Sequence, residues 1–342
     1  MAYTTIDNPE LHFQVKLYTG TGSELAITLP GSENMQPDLI WNKERSGTEG
    51  HNWTDAVRGA TKYVMSNNND AQSTNAQSVK SFDSDGFTLG TFDGMNTNTE
   101  TYASWNWKAG TTTGIAGSPS ITPASYSFNA TSGFSVINWA GTGSNGTLPH
   151  GLGVAPSMII VKRLEGSNWV CGHESVGWTK AWVFNENEAV ATNTRWQDTS
   201  PTSTLFYVDD DTTVNASGSN YIAYVWAPVK GYSKFGSYTG NGNADGTFAY
   251  TGFRPAFVLI RSVGATNWDI FDNKRPAYNP ADPPLWANSS AAQTDPYPID
   301  LLSNGFKGKT VSSQVNSAQE YVYAAFAEFP IVSSNDVPTV AR

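Results

Sequence analysis

The groups that could do chemistry in this chain are four histidines, thirty acids and a single cysteine, Cys171. Their spacing argues against most reactions. His12, His51, His150 and His173 are widely separated, and only His173 has an acid beside it, Glu174. A tetrahedral zinc site draws several His or Cys ligands together, and no such pattern is present. Asp209-Asp210-Asp211 is the densest acidic run. Oxygen-rich clusters can hold calcium, but this run follows the apolar stretch 205–208 and reads as a solvated turn. Asn241-x-Asn243-x-Asp245-Gly246 opens like an EF-hand loop. It fails at the twelfth position, where Gly252 replaces the bidentate Glu. Glu186 and Glu188 would share one face of a strand, the kind of pairing glycosidase carboxylates need, without any supporting motif. There is no G-x-S-x-G elbow, P-loop or C-x-x-C. The expectation is no catalytic residue, no metal and no cofactor.

Aromatic residues offer a different chemistry. One face of a pyranose is apolar C–H, so exposed Trp and Tyr rings stack on sugars. The chain has 12 Trp and 15 Tyr. Those that recur in a repeated pattern read as core. Trp178, Trp182, Trp196 and Trp286 fall outside it and are the predicted binding residues, for a glycan or for a subunit interface, where Trp and Tyr are also enriched.

The repeated pattern must position these groups. An aromatic-x-Gly-x-Gly step occurs at Tyr18–Gly22, Trp139–Gly143 and Tyr238–Gly242. A Pro and an apolar run ending in a cation follow, closing on Lys43, Lys162 and Arg261. Next come Asn52-Trp53, Asn168-Trp169 and Asn267-Trp268, then aromatic strands ending at Trp107, Trp226 and Phe326. The second glycine and the closing aromatic stand 83–85 residues apart in every copy, a single-domain size rather than a solenoid repeat. Residues 158–162 and 257–260 read as central strands buried on both faces. Residues 102–107 and 221–226 alternate large and small residues, as half-buried strands do. Residues 56–66 read as strand or irregular. Turn signals such as Ser84-Asp85-Gly86 and Ser303-Asn304-Gly305 separate the strands.

Composition agrees. Charged residues make up 15% and aromatics 13%, against roughly 25% charged in ordinary globular chains. The net charge is −10 with no basic run, which argues against nucleic acid, since phosphate backbones require clustered Lys and Arg. No apolar stretch approaches the ~20 residues of a membrane span. Met1-Ala2-Tyr3-Thr4-Thr5 lacks the basic and apolar regions of a secretory signal, so synthesis in a host cytoplasm is expected. One cysteine excludes an internal disulfide.

Residues 56–61 (Ala-Val-Arg-Gly-Ala-Thr), 104–110 (Ser-Trp-Asn-Trp-Lys-Ala-Gly) and 149–156 (Pro-His-Gly-Leu-Gly-Val-Ala-Pro) together resemble a group of repeat-containing proteins of marine bacteriophages. Those are described as virion structural, tail or fibre proteins with lectin-like β-sandwich domains. The resemblance spans residues 15–330 and implies a class and a setting, but no catalytic residue.

The expected architecture is therefore all-β, with three tandem β-sandwich domains of jelly-roll or lectin-like type at 15–110, 133–231 and 232–330. A linker at 111–132, an N-terminal arm at 1–14 and a C-terminal arm at 331–342 complete the chain. The expected function is a virion structural protein, a surface, tail or capsid-decoration component assembling with other virion proteins and with copies of itself, as a homotrimer for instance. A receptor-binding fibre or spike recognising host surface polysaccharide, and a glycan-cleaving depolymerase, are the alternatives. Neither nucleic acid nor membrane insertion is expected.

Overall fold

The computed structural model describes residues 3–276, 278–294, 296–335 and 337–338. Antiparallel strands dominate, and the architecture is all-β. Each third of the chain builds one large sheet. The first has the spatial order Phe13–Thr19, Thr101–Trp107, Leu39–Glu44, Asn52–Asp55, Lys62–Met65, Ser73–Thr74. The second follows the same connections: Phe134–Ala140, Asn220–Trp226, Met158–Arg163, Val170–His173, Lys180–Val183, Ala191–Thr192. Ser125–Asn129, from the expected linker, adds one strand outside Phe134–Ala140. The third runs Ser233–Thr239, Glu320–Pro330, Phe253–Ser262, Asp269–Asp272, Leu285–Trp286.

A smaller sheet covers one face of each. Leu25–Thr28, Gly86–Leu89 and Val79–Asp83 lie on the first, Gly146–Pro149 and Leu205–Val208 on the second, and Phe248–Tyr250, Gly305–Gly308 and Ile299–Leu302 on the third. Ile27 and Phe87 thus pack with Ile40, Leu148 and Phe206 with Ile159, and Ala249 and Phe306 with Val258. These are sandwiches of unequal layers.

The opposite faces of the three large sheets meet in one shared core. Trp41 and Trp107 of the first sheet, Met158 and Trp226 of the second, and Phe257 and Phe326 of the third belong to it. The void they leave is about 10 Å³ and lined by apolar side chains, so it offers a water no polar partners. Residues 102–107 and 221–226 are consequently buried on both faces. The half-buried expectation fails because large–small alternation here sorts residues between two cores rather than between core and water.

The glycine steps have a common cause. Tyr18 stacks on Tyr102 at 5.0 Å, Trp139 on Tyr221 at 5.3 Å and Tyr238 on Tyr321 at 5.1 Å. Each closing-strand tyrosine accepts from a backbone N–H, of Thr97, Ala216 or Ser317. A Cβ on Gly20, Gly141 or Gly240 would collide with the carbonyl oxygen of that same residue. Glycine is required by this close approach.

Behind each step lies a buried asparagine that the sequence pattern does not single out. The side-chain oxygens of Asn96, Asn215 and Asn316 accept from the N–H of Thr21, Thr142 and Asn241. Their amides donate to the carbonyls of Ser23, Ser144 and Asn243.

One alignment in the repeat is corrected. Asn185 and Asn288 accept from the N–H of Trp169 and Trp268, and their counterpart Asn67 accepts from His51. His51, two residues before Trp53, is therefore the equivalent of those tryptophans. An even slip keeps every side chain on its face, so hydrophobic pattern alone does not expose it.

The N-terminal segment is not a free arm. Thr4 and Ile6 are 2% and 3% exposed, and Ile6 joins the shared core. Of the expected C-terminal arm, Ser334 donates through its N–H and hydroxyl to Asp7. Residues 1–2, 336 and 339–342 of the two arms lie outside the described residues.

Candidate binding face

The cations closing each apolar run are buried and structural. Lys43 donates to the Ser290 carbonyl, and Arg261 to the carbonyls of Glu186 and Glu188. Lys162 donates to Ser167, with Asp70 nearby supporting its charge. Burial lowers Lys43 and Lys162 to about 8 and Arg261 to about 10. Two residues further on, Leu164, Val263 and Arg45 accept backbone bonds from Gln72, Val190 and Gln293. The first unit thus straps the second, the second straps the third, and the third straps the first.

Buried acids form a second set of links. Asp55 pairs with Arg58 and accepts from the Tyr224 hydroxyl at 2.8 Å. Asp272 pairs with Arg275 and accepts from Trp105 Nε1 at 3.1 Å. Burial alone would push the Asp272 carboxyl up, but the Arg275 guanidinium and these donors hold it below the usual range. Both pairs join different units.

The residues singled out for chemistry have structural places. His150 Nδ1 accepts from Leu152 N–H, and its Nε2 faces the Thr202 carbonyl at 3.1 Å. His173 is held in the same way by Ser175 N–H and the Tyr323 carbonyl. Burial lowers His12, His150 and His173 to about 4 and holds His51 well below the usual imidazole range. Cys171 is buried, and burial pushes its thiol up. Glu186 and Glu188 lie in a loop, not on a strand, and offer their carbonyls to Arg261. Asp209 and Asp211 cap their own turn, accepting from Asp211 and Thr213 N–H. Asn241 and Asn243 do the same for Asn243 and Asp245, while Asp245 pairs with Lys307 at 2.6 Å. No group of three potential metal-binding side chains occurs among the described residues.

The four tryptophans do not form a shared surface, and three of them are buried, which corrects the expectation of ring platforms. Trp178 and Trp196 form an edge-to-face pair at 5.7 Å in the second unit's own core. Trp182 packs on Trp268 inside the shared core. Trp286 is half-buried, stacked on Tyr297 and donating to its hydroxyl. Falling outside a repeated pattern does not make a tryptophan exposed, because each unit also fills its own core with unrepeated residues.

Among the described residues the exposed rings are Tyr278, Phe329, Phe248 and Tyr250, all in the third unit, and the last two are neighbours on one strand face. Phe248 and Tyr250, on the small sheet of the third unit, are 41% and 49% exposed. They flank Ala249, which faces inward. Pairing with Phe306 in the third unit matches pairing with Phe87 in the first and Phe206 in the second. The positions equivalent to Phe248 and Tyr250 are therefore Ala26 and Thr28 in the first unit, both exposed, and Thr147 and Pro149 in the second, where Pro149 is buried. The fold is built twice without aromatics there.

Two lysines and a third ring complete the face. Lys234 Nζ lies 5.0 Å from the Tyr250 ring centre and donates to the Tyr250 carbonyl at 2.7 Å. Lys230 Nζ lies 4.5 Å over the Tyr3 ring. Tyr3 donates to the Gly252 carbonyl at 2.8 Å, and burial together with the neighbouring Tyr250 hydroxyl raises its phenol to about 12. Tyr3 and Lys230 also line a cavity of about 590 Å³, walled by Thr131 and Val154. Aligning the small-sheet strands of the three copies would have revealed this departure in the sequence. The aromatic-x-Gly-x-Gly pattern ends just before it.

The fold and this face define an all-β repeat protein built around one shared aromatic core, with a single copy carrying an exposed aromatic surface. The chain belongs to the DUF7483 family, described as a domain of unknown function, which it matches over residues 8–330. No curated protein and no solved structure matches it. No helix among the described residues is long and apolar enough to cross a membrane.

Proposed function

We propose that this chain is a component of a phage particle's surface and that it works by binding. The phage setting rests on the sequence resemblance. The binding role rests on one observation: the third unit exposes Phe248 and Tyr250 where its sister units carry small residues. Large exposed apolar groups mark interaction sites on soluble proteins. The shared core and the strap bonds make the chain a rigid platform for that face. Assembly with other virion proteins is the first reading. Recognition of a host surface polysaccharide is the second, favoured by the pairing of rings with lysines.

Immunogold labelling or cryo-EM of purified particles tests the setting. Label over the capsid shell supports a decoration role, and label at the tail tip supports host attachment. Particles without label would overturn the virion reading.

A further inference from the structure

We propose that Tyr3, Phe248 and Tyr250, with Lys230 and Lys234, form a binding site for an acidic glycan, a polymer of uronate sugars. The proposal rests on the second reading above, polysaccharide recognition by this face, and names its ligand class.

The rings are not there for the fold. Ala26 and Thr28, or Thr147 and Pro149, serve at the same positions of the same sheet. Alternate residues on a strand stand about 6.5–7 Å apart on one face, so Phe248 and Tyr250 present two successive platforms to one extended chain. A sugar ring places its C–H face on such a platform, where apolar contact and the ring's quadrupole both favour it.

Charge selects the ligand within that class. The chain carries −10 overall, yet two ammonium groups are drawn onto this face. Lys307, the next cation along the sheet, is neutralised by Asp245. Among the described residues, Lys230 and Lys234 form no ion pair with a carboxylate. A sugar carboxylate is their complement, whereas another copy of this acidic chain is not. Area points the same way. A Phe or Tyr ring offers roughly 150–250 Å² when wholly buried, and these are half-exposed. That is well short of the ~800 Å² per partner of a stable protein interface. A polysaccharide strand needs no such area, and the cavity beside Tyr3 and Lys230 extends its track.

The test uses the whole chain in affinity electrophoresis against polygalacturonate, alginate, dextran and poly-L-glutamate. The variants are F248A with Y250T, which install the residues of the first unit, and K230Q with K234Q. Melting temperatures show whether each variant folds, and the first unit's own residues give F248A/Y250T a precedent. Retardation by at least one of the two uronate polymers is expected, with at least tenfold weaker binding for F248A/Y250T. The lysine variant is expected to lose most of the salt dependence. Equal retardation by dextran would overturn the acidic class. Equal binding of poly-L-glutamate, indifferent to F248A/Y250T, would overturn the sugar. No retardation by either uronate polymer, in a protein that labels particles, would overturn this inference alone. Uronate binding by a protein absent from particles would instead overturn the virion setting alone.

Discussion

Replacing Asn316 by alanine tests the reasoning behind the repeated glycine step most directly. Asn316 is wholly buried. Its amide donates to the Asn243 carbonyl at 2.6 Å, the Thr310 carbonyl at 2.9 Å and Asn241 Oδ1 at 3.1 Å. Its oxygen accepts from Asn241 N–H at 3.2 Å and from Thr247 N–H at 3.4 Å. Two amide hydrogens serve three acceptors, so the bonds count as about three to four, each worth about 1 kcal/mol net. The expected loss is therefore ~3–4 kcal/mol. At roughly 2–4 °C per kcal/mol, the midpoint should fall by on the order of 6–16 °C. Urea unfolding followed by tryptophan fluorescence reads the change, since the shared core is rich in Trp. Asn316→Asp keeps an acceptor but sets a carboxylate among oxygens, and should cost at least as much as alanine. Asn96→Ala and Asn215→Ala should fall in the same range. A change within about 0.5 kcal/mol for Asn316→Ala would show that the loop closes without this side chain and would refute the argument.

Gly240→Ala and Gly218→Ala separate crowding from backbone conformation. A Cβ at Gly240 meets the Ser317 carbonyl, whereas Gly218 has φ +76° and open space around it. Gly218→Ala should cost only the left-handed strain of about 1–2 kcal/mol, with Gly240→Ala clearly costlier in the same unfolding assay; equal losses would contradict the collision. Acid should weaken the fold through His150 and His173, whose folded values near 4 lie below the 6.5 of the unfolded chain. Because the unfolded state takes up these protons first, their stability contribution is complete above pH 6.5. It is lost as pH falls from 6.5 towards 4, by roughly 3 kcal/mol per histidine at the end of that window. The difference in unfolding free energy between the wild-type chain and H173N should narrow across that window, and a pH-independent difference would count against a buried neutral ring.

Much of this architecture is legible in the residues, and the rest is hidden for physical reasons. The aromatic–glycine steps announce three like units because close backbone approach at Gly20, Gly141 and Gly240 tolerates nothing larger. The strands 158–162 and 257–260 read as doubly buried because their apolar runs are unbroken. The shared core is concealed by Thr101–Trp107 and Asn220–Trp226, whose large–small alternation looks the same whether the second face meets water or another sheet. The equivalence of His51 with Trp169 and Trp268 is masked by an even slip, and the three buried asparagines by their resemblance to ordinary turn residues. Trp178, Trp182 and Trp196 draw attention as large rings, yet ring size reports burial more often than exposure. Phe248 and Tyr250 stand out only when the small-sheet strands of the copies are laid side by side.

The strap from the third unit back to the first also governs when the protein can finish folding. Gln293 N–H reaches the Arg45 carbonyl, Lys43 reaches Ser290, and Trp105 reaches Asp272. On the ribosome, chains grow at roughly 5–20 residues per second. The first unit therefore emerges and waits many seconds with Trp105 Nε1 lacking its acceptor, Lys43 bonded only to the Glu44 and Gly47 carbonyls of its own unit, and one face of its sheet open. Contacts of such sequence separation are the slow ones in folding. A chain cut short before residue 272 would keep two units and leave an aromatic wall in water, so truncation products should be sticky rather than merely smaller. Burial of the first unit's open face thus depends on synthesis of the third.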